Sequence, residues 1–195
     1  MKKQAYIFIG NSGSGKGTQA RMLQERIEGM DRNVFYAETG SLFRDFLQKS
    51  GYTVDQAKKI AEQGALQPEF LSVAMWGNSF IDYLTPQKDL ITDGFPRTSR
   101  EAKVLDGALR FYEYERPIVF YLKLPKQVAL ERMLERSRGD DEREKIQKRI
   151  EWFDQKVQKA IDFLENDSYY NFVTIDGTQS IEAIHAEVLS HTQIN

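Results

Sequence analysis

The sequence predicts an α/β domain: a mostly parallel five-stranded sheet flanked by helices. Three observations predict it. Short β-prone apolar runs alternate with longer segments of helical periodicity along the whole chain. The first run, Ala5-Tyr6-Ile7-Phe8-Ile9, leads straight into Gly10-Asn11-Ser12-Gly13-Ser14-Gly15-Lys16-Gly17-Thr18 and then into a helical pattern. That order of strand, glycine-rich turn and helix is the setting a phosphate-binding loop needs.

Glycines let the backbone approach an anion closely, and the helix N-terminus presents partial positive charge to it. Lys16 adds a mobile cation suited to outer phosphates. The general pattern has Ser or Thr directly after the Lys, whereas Gly17 stands here and Thr18 follows. Ala20, Leu23 and Ile27 fall on one face of the helix. Residues 34–37 (Val-Phe-Tyr-Ala) form a second strand, and Glu38-Thr39-Gly40-Ser41 is turn chemistry able to cap a helix. Leu42, Phe43, Phe46 and Leu47 give that helix its apolar side, with Arg44 off it, and Ser50-Gly51 ends it. A weaker helix spans about 54–63 and stops at Gly64. Gln67-Pro68-Glu69 opens another, whose Phe70, Leu71, Ala74, Met75, Phe80, Ile81 and Leu84 predict a largely buried helix.

Residues 89–93 read as the third strand, with the Asp93 carboxylate at its tip, followed by the turn Gly94-Phe95-Pro96-Arg97-Thr98. Ala102, Leu105, Leu109 and Tyr112 mark the next helix. Pro117 introduces the fourth strand, 118–122, and Pro125 the helix carrying Val128 and Met133. Arg132 and Arg136 share one face of it. After Ser137-Arg138-Gly139-Asp140-Asp141, a long helix carries the stripe Ile146, Ile150, Phe153, Val157, Ile161 and Leu164. Residues 172–175 form the fifth strand, Asp176-Gly177-Thr178 a turn, and 181–189 a final helix. Ligands of such sheets bind at the carboxyl ends of the strands, so the loop, Asp93 and Asp176 share one edge.

The 195 residues suit one domain. A net charge of −2 gives no field for nucleic acid or an anionic membrane, and no apolar run approaches a membrane span. The absence of cysteine excludes disulfides and thiolate zinc sites. A cytoplasmic enzyme is the expectation. Phosphoryl transfer asks a protein for positioning and for positive charge around the moving group. Lys16, Arg44, Arg97, Arg132, Arg136, Arg138 and Arg149 are the available cations. Between 131 and 149, seven basic and six acidic residues also read as a solvated surface laced with ion pairs. Asp93 could bind Mg²⁺ directly or through water, or cap the next turn. His185 and His191 read as surface residues, and Trp76 and Trp152 as core.

Four segments, in order, resemble the adenylate kinase family of nucleoside monophosphate kinases. They are residues 10–18 with Gln19; Thr39-Gly40 with Arg44; Asp93-Gly94-Phe95-Pro96-Arg97-Thr98; and Arg132, Arg136, Arg138-Gly139-Asp140-Asp141 and Arg149. The resemblance runs from about residue 6 to 177. It implies a P-loop NTPase-like fold with a small helical monophosphate-binding insert at 39–71 and a short lid at about 137–141. It implies that Gly13, Ser14, Gly15, Lys16, Gly17 and Thr18 hold the ATP phosphates. Arg136 packs on the ATP adenine, and Gln179 lies by that base. Thr39, Gly40, Arg44, Gly94 and Arg97 hold the monophosphate, and Ala65, Leu66 and Gln67 line its base site. Lys16, Arg97, Arg132, Arg138 and Arg149 surround the transferring group, and Asp93 orders Mg²⁺ through water. The zinc-binding lid of some relatives is absent.

Three departures stand out. Ser12 replaces a frequent Pro, Ser41 a usual Asp, and Glu101 the Gln that faces the AMP base in adenylate kinases. An ionised Glu only accepts hydrogen bonds, so it suits a base edge with two donors, such as that of guanine; the other reading is that Glu101 pairs with Arg97, four residues earlier, or sits protonated. The expected reaction is reversible transfer from ATP-Mg to AMP by a monomer. Kinases for GMP, UMP or CMP and a weakly catalytic nucleotide sensor are the alternatives.

Overall fold

The computed structural model describes residues 2–136, 143–192 and 194. Among them, β1 (Ala5–Gly10), β2 (Val34–Glu38), β3 (Asp89–Asp93), β4 (Ile118–Lys123) and β5 (Asn171–Asp176) form one sheet in the order β2-β3-β1-β4-β5. Every neighbouring pair is parallel, as the alternation of strand and helix patterns predicts. All six residues of β1 are buried, because helices cover both faces of the sheet.

Alternate residues of each strand feed two separate cores. Ala5, Ile7 and Ile9 of β1 face α4 (Glu69–Tyr83), α5 (Ser99–Phe111) and α8 (Gln158–Glu165), through Trp76, Phe80, Leu105 and Ile161. Tyr6 and Phe8 face α1 (Lys16–Glu28) and α9 (Ile181–Ser190), through Leu23, Ile27, Ile184 and Val188. Leu71 of α4 also joins α2 (Thr39–Leu47) and α3 (Tyr52–Glu62) in a small core with Phe43 and Ala57. Among the described residues no helix is long and apolar enough to cross a membrane.

Four expectations need correction. Helix α4 is not largely buried. It buries Leu71, Ser72, Trp76, Ser79 and Phe80, while Phe70 and Ile81 are 69% and 74% exposed. A helix lying on one face of a sheet hides a single stripe, however apolar the rest of it is. No side chain caps α2: the residue at its N-cap, Glu38, gives its carboxylate to Arg44 and Arg21, and Thr39, the first helical residue, turns its hydroxyl to the Gly94 carbonyl. The long C-terminal helix is interrupted. Between α7 (Arg143–Trp152) and α8 the chain winds as a π-helix over Phe153–Val157. All six stripe residues are nevertheless buried, since a π-turn adds a residue and resets the phase of the helix. Finally, His185 is half-buried, its Nδ1 3.1 Å from Gln19 Oε1, and burial lowers its pKa; His191 is exposed as expected. Arg138, Asp140 and Asp141 lie outside the described residues, as does the side chain of Arg136.

The orientation of α4 has a direct check. Phe80→Ala is expected to cost about 3–5 kcal/mol in urea unfolding, because it empties a core position. Ile81→Gln, one residue on, is expected to change stability by less than about 0.5 kcal/mol.

Candidate active site

The carboxyl edge of the sheet carries a cleft of about 860 Å³. At one end, β1 passes into the glycine-rich turn and α1 begins at Lys16, with Gly15 before it in the left-handed region at φ 86°. The turn is closed by the Ser14 N–H donating to the Asn11 carbonyl at 3.1 Å. Gly13, Gly15, Lys16, Gly17 and Thr18 all line the cleft. Ser14 does not; it is fully buried and its hydroxyl has no hydrogen-bond partner. The Lys16 ammonium donates to the Asn11 carbonyl at 3.4 Å.

Gly17 explains the departure from the general loop pattern. A Cβ at this position would lie 2.9 Å from Asp93 Oδ2. The missing side chain thus lets the β3 carboxylate press against the start of α1. Asp93 is 6% exposed. Its Oδ2 accepts from the Tyr36 hydroxyl at 3.0 Å, and burial together with that carboxylate pushes the Tyr36 pKa up. Its Oδ1 is buried with no partner.

At the other end, the Thr39 hydroxyl donates to the Gly94 carbonyl at 2.9 Å and accepts from Arg97 Nη2 at 3.1 Å. Arg97 Nε donates to the same Gly94 carbonyl at 2.6 Å, and its guanidinium carbon lies 6.0 Å from the centre of the Trp152 ring. Burial pulls the Arg97 pKa down, while Glu101 and Asp93 oppose that pull. Gly40, Arg44, Ala65, Leu66, Gln67 and Gly94 complete this end. The Gln67 amide donates to the Ala57 carbonyl at 2.8 Å, and its Oε1 is buried without a partner.

Arg132 and Arg149 also line the cleft. Arg132 Nη1 is held by the Gly177 carbonyl at 2.8 Å. Arg149 also lines a small adjoining cavity of about 40 Å³ with Lys16, Arg97 and Trp152. The family model described as adenylate kinase matches residues 8–169. The chain belongs to the adenylate kinase family. The adenylate kinase of Prochlorococcus marinus (strain MIT 9515) is 30% identical over 175 residues, covering 90% of this chain and 92% of the relative. That of Deinococcus radiodurans is 30% identical over 199 residues, covering 97% and 96%. That of Flavobacterium psychrophilum is 28% identical over 191 residues, covering 95% and 97%. The protein is thus a phosphotransferase, a nucleoside monophosphate kinase.

Family membership implies the use of ATP and Mg²⁺ in general. Among the described residues no three metal-ligating side chains converge. Asp93 alone nevertheless suits Mg²⁺: it offers one unsatisfied carboxylate oxygen beside the phosphate loop, and Mg²⁺ takes few protein ligands and keeps its waters.

Besides Ser14 and the fully buried Thr39, two expected residues do not line the cleft. Gln179, at the turn after β5, is exposed and donates to the Asp176 carbonyl and to Glu187. Glu101 is 1% exposed and does not line the cleft. Of its two expected placements, facing a bound base or pairing with Arg97, the structure shows the second, through the Arg97 backbone. The Thr98 hydroxyl accepts from the Glu101 N–H at 3.1 Å, and Glu101 Oε2 accepts from the Arg97 N–H at 2.7 Å. This is a reciprocal capping arrangement, which directs the carboxyl back onto the start of α5.

The cleft also holds residues that the sequence reading passed over. Trp152, read as core, lines it, as do Arg21 and Glu38. Glu38 carried the same signal as Asp93, a carboxylate at a strand tip. Arg21 carried none beyond its place on α1 after the loop.

Burial raises the Glu101 pKa above its ordinary value of 4.5, against the pull of the Arg97 N–H and guanidinium. The folded state therefore holds the Glu101 proton more tightly than the unfolded chain does. Its contribution to stability falls as pH rises from 4.5 toward the raised value. Glu101→Gln keeps an oxygen for the Arg97 N–H and removes the titration. Urea midpoints measured from about pH 4 to about pH 8 are expected to show the variant gaining on the wild type as pH rises.

Proposed function

We propose that this kinase transfers the terminal phosphoryl group of ATP to AMP, reversibly and in one direct step, giving two molecules of ADP. The observation that carries the reading is the layout of the single cleft. It carries a phosphate loop with Lys16, the residues 64–67, and the cations Arg97, Arg132 and Arg149 on one continuous lining.

Lys16 and the loop N–H groups hold the ATP phosphates, with Gly13, Gly15, Gly17 and Thr18 shaping the cradle and Ser14 buttressing it from below. Arg44, Arg97 and Thr39 hold the phosphate of the monophosphate beside Gly40 and Gly94. Ala65, Leu66 and Gln67 receive its base. Arg132 and Arg149 carry charge around the transferring group. Arg138 shares that role and Arg136 packs on the ATP adenine, both by sequence resemblance alone; the resemblance likewise sets the Gln179 turn beside that base. Asp93 would hold Mg²⁺ through water, and the ion would spread the charge of the phosphate oxygens. None of the named side chains acts as a covalent nucleophile, and catalysis rests on positioning and fixed positive charge. Arg97 is the pivot of that positioning, because two of its guanidinium nitrogens are fixed by Gly94 and Thr39 before any substrate arrives. With Glu101 turned into the α5 cap, no feature of the cleft asks for a base other than adenine. Residues 39–71 act as the monophosphate-binding insert and residues 137–141 as the lid. The enzyme works as a monomer in the cytoplasm.

A coupled assay with ATP-Mg and equal concentrations of AMP, GMP, UMP and CMP tests the reading. AMP is expected to give the highest kcat/KM. A higher value for another base would reassign the substrate, and no turnover with any of them would leave a nucleotide sensor. Lys16→Ala is expected to lower kcat by about 10²–10³-fold, the scale of losing one fixed charge-stabilising donor.

A further inference from the structure

Glu38 ends β2 inside the monophosphate half of the cleft. Its side chain is only 16% exposed, and both oxygens are engaged. Oε1 accepts from Arg44 Nη2 and Oε2 from Arg21 Nη2, each at 2.9 Å. Both arginines remain open to solvent, with side chains 60% exposed for Arg21 and 58% for Arg44. Arg21 is braced from behind, its guanidinium 5.1 Å from the centre of the Tyr36 ring, and the Tyr36 hydroxyl is fixed on Asp93. The Arg44–Glu38 contact closes over Gly40, where a Cβ would lie 3.1 Å from each partner.

A carboxylate gripped by two guanidinium forks presents two oxygens and one negative charge to them. A phosphate group presents three oxygens and up to two charges to the same donors. We propose that Glu38 fills the phosphate clamp of the monophosphate subsite while that subsite is empty, that Arg21 is a second cation of the clamp, and that a nucleoside monophosphate binds by displacing the Glu38 carboxylate from both arginines. The inference rests on the assignment of Arg44 to the monophosphate. Glu38 is then a specificity-determining residue. A phosphate dianion outcompetes it, whereas an uncharged nucleoside has nothing to exchange and meets arginines that are already neutralised. The carboxylate also keeps Arg21 and Arg44 pointed at one place, so less side-chain freedom is lost on binding.

The test is calorimetric titration of the full-length, nucleotide-free protein with AMP, inorganic phosphate and adenosine, for the wild type, Glu38→Gln and Arg21→Gln. Glu38→Gln removes the competing charge but keeps a hydrogen-bond acceptor for the arginines. It is expected to bind AMP and phosphate about three- to tenfold more tightly, the scale of one partly exposed charge interaction, with adenosine unchanged. Arg21→Gln is expected to weaken AMP by a similar factor and to leave ATP affinity as it was. Unchanged or weaker AMP binding by Glu38→Gln, or equal tightening of adenosine, overturns the proposal. If Glu38→Gln does not fold, the Arg21→Gln titration decides: undiminished AMP affinity there overturns it. A wild-type protein that neither binds AMP nor phosphorylates any monophosphate is a different failure, that of the functional reading, and it is seen before either variant is made.

Discussion

Strand β1 pairs with β3 so that Phe8 lies beside Asp93, and the phosphate loop begins just beyond Phe8. Strand β2 pairs with β3 so that Glu38 lies beside the same Asp93. These two registers set the geometry of the cleft. A slip of one residue in either would exchange the faces of every side chain on the strand, setting core residues toward solvent and carrying the tip carboxylate away from α1. The two faces of the sheet feed separate cores, so such a slip would disturb both at once. The packing of Tyr6, Ile7 and Phe8 thus helps to hold Asp93 against Gly17.

The cations of the cleft are held in two different ways. Lys16, Arg97 and Arg132 rest on the carbonyls of Asn11, Gly94 and Gly177. A carbonyl fixes the direction of a cation and leaves its charge intact, which is the requirement for stabilising charge that develops in a transition state. Arg44 rests on a carboxylate, which fixes its direction and cancels its charge. The two modes meet at the monophosphate end, where Arg97 rests on a carbonyl while Arg44 and Arg21 share the Glu38 carboxylate.

Local patterns were sufficient for most of the architecture. The five strands stood out as short apolar runs between turn residues, and the loop from 10 to 18 is contiguous, so its order alone implies its shape. Asp93 was readable as a strand-tip carboxylate. What escaped depends on pairs distant in sequence or on competition between partners. The sequence holds Phe70, Ile81 and Phe80 as equivalent apolar residues, and only the direction of approach of the sheet distinguishes them. The π-turn at 153–157 follows from fitting one helix to two neighbours, a demand written in no single residue. For Glu101 the sequence offers both a ligand and Arg97 as partner, and only the fold decides that the nearer donor wins. The Arg21–Glu38 pair joins α1 to β2 across 17 positions and has no periodic signature.

The π-turn has a consequence for observing the protein at work. The chain contains two tryptophans. Trp76 is sealed in the core, stacked on Phe95 with ring centres 5.3 Å apart. Trp152, the last residue before the π-turn, stands at the wall of the cleft beside Arg97. The buried indole is placed to report folding, and the one at the cleft wall is placed to report what enters beside Arg97.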